Sequence, residues 1–86
     1  MIWLVKLVRY TGDAAKDLRR YRGVATRLRR AVAEYAAGDG AHANQVTQLV
    51  GLPEKRLRVG AWRIIFAEDA DSITVLRVAP RGRAYE

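Results

Sequence analysis

A change of hydrophobic period near residue 40 constrains this chain more than any other feature. Before it, apolar residues recur at helical spacing: Ala14, Leu18 and Tyr21, then Val24, Leu28, Val32 and Tyr35. Side chains three and four apart share one helix face. After it, "KRLRV" at 55–59 alternates basic and apolar residues, as a half-buried strand does. "WRIIFAE" at 62–68 and "SITVLRV" at 72–78 follow as aromatic and β-branched runs. Turns at "VGA" around Gly60 and at the acidic "DAD" of 69–71 separate them, and Pro80 stops the last.

Upstream, "IWLVKLV" at 2–8 reads as a strand. "TGDAAKDL" opens a helix with Thr11 or Asp13 as its N-cap and acids in its first turn. Gly23 is expected to break this helix from the next, which spans 24–37 and ends at "GDG" over 38–40. Residues 41–52 fit either a short strand at "QVTQLVG" or an extended approach to the sheet. The order predicts a single α+β domain over residues 1–86, without repeat or linker. An N-terminal strand and a helical hairpin would pack on one face of a small antiparallel sheet.

Residue types narrow the chemistry. Without cysteine and with His42 as the lone histidine, disulfides, thiolate metal sites, a cysteine nucleophile and a histidine metal cluster are excluded. No metal or cofactor is expected. The N-terminal apolar stretch is too short to span a membrane and is broken by Lys6, which predicts a soluble cytoplasmic protein. Sixteen Lys and Arg against nine Asp and Glu give a formal net charge of +7, and thirteen of the sixteen are Arg. The guanidinium fork suits phosphate and stacks on bases, so the balance favours a polyanionic partner: RNA, DNA or an acidic protein.

Strand alternation sets Arg56 and Arg58 on one face and Leu57 and Val59 on the other. A hairpin at Gly60 returns Arg63 beside that basic face, and Pro80 leads directly to Arg81, Arg83 and Tyr85. Two readings of this pattern stay open: a wet outer face shielded by arginine, or a built anion site. His42 reads as a solvated loop residue, and Trp3 and Trp62 as core. Arg19, Arg20, Arg22, Arg27, Arg29 and Arg30 read as a wet helix face, with charge-driven attachment to RNA as the functional alternative. Glu68, Asp69 and Asp71 share a turn, and nothing pairs them for catalysis.

The ordered set Leu49-Val50-Gly51, Arg56-Leu57-Arg58-Val59-Gly60, Trp62-Arg63, Asp69 to Asp71 and Arg81 to Tyr85 resembles RelE/ParE-type toxins of bacterial type II toxin–antitoxin systems. "AAKDLRRY" is similar to the family's first helix, so the likeness runs along nearly the whole chain. The resemblance implies the RelE fold, with a basic concave sheet face. It implies a metal-independent, ribosome-dependent mRNA endonuclease that inhibits translation, restrained by a cognate antitoxin in a hetero-oligomer. Arg56, Arg58, Arg63, Arg81 and Tyr85 match the family's catalytic positions, with RNA contacts from Lys55, Arg77 and Arg83.

One departure bears on the chemistry. The best-known RelE enzymes carry lysines where this chain has Arg56 and Arg58. Arginine stays protonated in proteins, so Lys55 and Tyr85 are left as proton carriers, and Tyr85 alone if Lys55 lies on the other strand face. The rival expectation is a ParE-like toxin that binds DNA gyrase. A third is a small basic nucleic-acid-binding module.

Overall fold

The computed structural model of the chain describes residues 5–81. Its elements run β1 (Leu7–Tyr10), α1 (Gly12–Arg20), α2 (Arg22–Ala36), a 3-10 turn (Ala43–Gln45), β2 (Val46–Gln48), β3 (Lys55–Val59), β4 (Trp62–Glu68) and β5 (Ser72–Pro80). The strands form one sheet in the order β1-β5-β4-β3-β2. This is the expected α+β layout of two helices on a sheet, and the 45–51 segment does supply a short strand.

Three expectations about the N-terminal half need correction. The sheet is mixed: β1 runs parallel to β5, while the other pairs are antiparallel. Parallel neighbours need a long crossover, and here both helices and three strands intervene. The described strand also begins at Leu7, because the Lys6 backbone N–H donates to the Ala36 carbonyl at the end of α2. The rest of the 2–8 stretch, Trp3 included, mostly lies outside the described residues. The helix break falls at Tyr21 (φ −110, ψ 41), and Gly23 sits inside the first turn of α2. Tyr21 leaves helical geometry where its ring packs edge-on against Trp62, 4.8 Å between centroids.

Thr11 is the N-cap. Its Oγ1 accepts from the Ala14 N–H at 3.1 Å and donates to the Leu76 carbonyl at 3.1 Å. Asp13 in the first turn and Arg19 and Arg20 in the last complement the helix dipole. Helix α2 ends at Ala36 with Ala37 as its C-cap, followed by Gly38 at φ 79.

The core lies between the helices and one sheet face. Ala14, Leu18, Leu28, Ala31, Val32 and Ala36 meet Leu57, Ile64, Phe66, Ile73, Val75 and Val78, all nearly inaccessible. A register shift at Ile65/Phe66 pairs Ile65 with Arg77 but Phe66 with Val75. That bulge lets Val75 and Val78, three residues apart, both reach the core. It also releases backbone groups from the ladder, and α1 satisfies them. Thr11 caps the Leu76 carbonyl, while buried Asp17 accepts the Val78 N–H at 2.8 Å and Arg77 Nε at 2.9 Å.

Candidate nucleic-acid interface

The β3–β4 register builds the basic face. Leu57 pairs with Ile64 and Val59 with Trp62 on the helix side. Between them, Arg58 stands opposite Arg63 and Arg56 opposite Ile65, on the side away from the helices. Arg63 pairs in turn with Ala79 of β5, whose small side chain adds little bulk beside the guanidinium. Arg81 follows two residues later, and its backbone N–H donates to the Ala61 carbonyl in the β3–β4 turn at 2.6 Å. Arg56, Arg58 and Arg63 therefore share one sheet face, and the Arg81 backbone is fixed at the turn end of it.

Among the described residues, no carboxylate pairs with Arg56 or Arg58. Opposed guanidiniums repel, and a low-polarity floor sharpens that repulsion. Ile65 supplies such a floor: it is fully buried on this face, outside the helix-side core cluster. An anion between the arginines removes the repulsion and accepts forked hydrogen bonds.

Other expected contacts fall elsewhere. Lys55 shares the helix face with Phe66, and its Nζ donates to Glu68 Oε1 at 2.9 Å. It is thus turned away from the arginine row and held in an ion pair. Arg77 is drawn to α1 by Asp17 through its Nε and Nη2, at 2.9 and 3.3 Å. Arg83 and Tyr85 lie outside the described residues. Trp62 packs on Tyr21, as a core residue does. His42, expected to be solvated, is half-buried and bonds Glu34 Oε1 at 2.7 Å.

Glu68 was readable only as part of an acidic turn, and it is the main polar junction of the fold. Lys6 Nζ donates to its Oε2 at 2.7 Å, while Lys55 and Tyr35 Oη donate to its Oε1 at 2.9 and 2.8 Å. Burial alone would raise its pKa, but these three donors outweigh burial and hold it at about 2. Tyr35 is pushed up to about 12, by burial first and then by its hydrogen bond to the Glu68 charge. The available signal was Lys6, a lone cation interrupting an apolar run. No group of three or more His, Asp or Glu able to hold a metal occurs among the described residues. Nor is any described helix long and apolar enough to cross a membrane.

A two-helix layer on a mixed sheet with an arginine-rich outer face is the build of toxins from toxin–antitoxin systems, and the comparisons agree. The chain matches the family of the ParE toxin of the type II toxin–antitoxin system over residues 8–85. It belongs to that family. The toxin–antitoxin complex RelBE2 of Mycobacterium tuberculosis is similar at 27% identity, covering 88% of this chain and 98% of that one, with a TM-score of 0.63. The RelE–RelB complex of Pyrococcus horikoshii shares the fold at 22% identity, 93% and 99% coverage and a TM-score of 0.73. The DinJ–YafQ toxin–antitoxin complex of E. coli does so at 12%, 95% and 99%, and 0.67. Curated proteins gave no match. Each of these neighbours is a toxin–antitoxin complex.

Proposed function

We propose that this toxin is a ribosome-dependent mRNA endonuclease, acting in the cytoplasm and silenced by its antitoxin. The observation that carries the reading is the Arg58–Arg63 pair on the face away from the helices, with Arg56 beside it on β3. The reaction is attack of a ribose 2′-OH on the adjacent phosphate. The 2′-O–P bond forms and the P–O5′ bond breaks, leaving a cyclic phosphate and a free 5′-OH. Charge gathers on the phosphoryl oxygens, where fixed guanidiniums stabilise it. Arg56, Arg58, Arg63 and Arg81 take that task. They do not carry protons, because arginine stays protonated. Lys55 is committed to Glu68, so Tyr85 is the residue to which we assign proton transfer from the 2′-OH or to O5′.

The similarity to the RelE–RelB and RelBE2 complexes supports the nuclease reading. A second reading, inhibition of DNA gyrase by binding, is favoured by the ParE family match and by the lack of a described lysine on the face away from the helices. Induction of the chain in cells, with messenger 5′ ends mapped on translating ribosomes, separates them. Codon-phased cuts support the nuclease, and DNA damage with intact messages supports the gyrase inhibitor.

A further inference from the structure

The β3–β4 turn holds a cation that the strand pattern does not supply. Gly60 adopts φ +58, and a Cβ built there would lie 2.5 Å from Nη2 of Arg27. The Arg27 guanidinium therefore rests against the turn itself, in space that any larger residue would fill. Arg27 is exposed on α2, one position before buried Leu28. Among the described residues it has no hydrogen-bond or ion-pair partner. One cross-strand pair back from the turn stand Arg58 and Arg63, and the turn carbonyl of Ala61 holds the Arg81 N–H. Arginines of α2, β3, β4 and the residue after β5 thus lie at the β3–β4 turn end of the sheet.

We infer that Arg27 extends the anion-binding face around the Gly60 turn and contacts a second phosphate of the RNA strand held by Arg58 and Arg63. The inference rests on the RNA reading above and adds a residue from the helical layer to it. Two features support it. A guanidinium without a carboxylate is available to a phosphate, which it binds with two parallel hydrogen bonds. Gly60 carries no side chain, which leaves the space at the turn in which the Arg27 guanidinium sits. The turn needs no further fastening, since the β3–β4 ladder and the Arg81–Ala61 hydrogen bond already close it.

The test is binding of a short single-stranded RNA oligonucleotide by the full chain across a salt series, with thermal midpoints measured alongside. Arg27→Ala should weaken binding about fivefold to tenfold and lower the log–log salt slope by about 0.7, the share of one phosphate contact on a single strand. Its thermal midpoint should stay within about one degree of wild type. Arg27→Lys keeps the charge and should keep the slope. Unchanged affinity in Arg27→Ala, with Arg58→Ala weakened, overturns the inference and leaves the RNA reading standing. A lowered midpoint with an unchanged slope overturns it too, because Arg27 then only braces the turn. Failure of wild type to bind the oligonucleotide overturns the inference together with the reading beneath it.

Discussion

Arg58 and Arg63 face each other directly across β3 and β4, two positive side chains in one cross-strand pair on the face away from the helices. Like charges so placed weaken a sheet by about 0.2–1 kcal/mol. A sheet selected for stability alone would put an opposite charge or a β-branched residue there. On the RNA reading, a phosphate shared by the two guanidiniums offsets that cost.

Replacing Arg58 by threonine should therefore stabilise the free protein while harming its activity. We expect Arg58→Thr to gain a few tenths of a kcal/mol, about the size of one relieved cross-strand repulsion, in chemical denaturation. Pyrophosphate should raise the thermal midpoint of wild type by mass action and raise that of the variant less.

Arg81 is held by its backbone, so its side chain can be removed without moving the chain. Arg81→Ala should slow cleavage roughly a hundredfold to a thousandfold, the usual cost of losing one preorganised donor. Antitoxin binding, read by co-purification, should survive. Tyr85→Phe keeps the ring and removes the hydroxyl, and should slow cleavage less than Tyr85→Ala.

Glu68 sets the acid limit of the fold. Its pKa of about 2 in the folded chain lies below the ordinary 4.5, so between these values the unfolded chain binds more protons. Its stabilisation is complete above about pH 5 and drains away as the pH falls toward 2. Glu68→Gln should cost about 1–3 kcal/mol near neutrality, since it strands Lys6 and Lys55. The same variant should flatten the stability profile between pH 5 and 2 in denaturation titrations.

Lys55 separates structure from chemistry. Its ammonium is about one-third exposed and paired with Glu68. Lys55→Met should lower stability by about 1 kcal/mol or less. Cleavage per folded molecule should be unchanged. A large loss of rate at full folding would return Lys55 to the reaction.

The parts of this fold that were legible in the sequence are those set by local rules. Alternation at 55–59 and the glycine at position 60 define the β3–β4 hairpin, and with it the face that Arg56, Arg58 and Arg63 share. What escaped depends on distant partners. Nothing local distinguishes a parallel β1, because its register with β5 joins residues more than 60 positions apart. Gly23 looks like a breaker, yet glycine is tolerated in a first helical turn, whereas Tyr21 bends the chain to meet Trp62, far along the sequence. Arg77 belongs to the basic list by type, but a bulge and the buried Asp17 draw it to α1. Lys55 and Glu68 looked unrelated until Lys6 and Tyr35 closed the cluster around them.

The most direct measurement is 5′-end mapping of a defined message incubated with purified ribosomes and the free toxin, in wild-type and Arg58→Ala forms. The account predicts cuts at a fixed codon position with wild type, each leaving a 5′-OH, and their loss in the variant at unchanged folding. An intact message under wild type that still arrests growth in cells would contradict it, and would make gyrase the target to test.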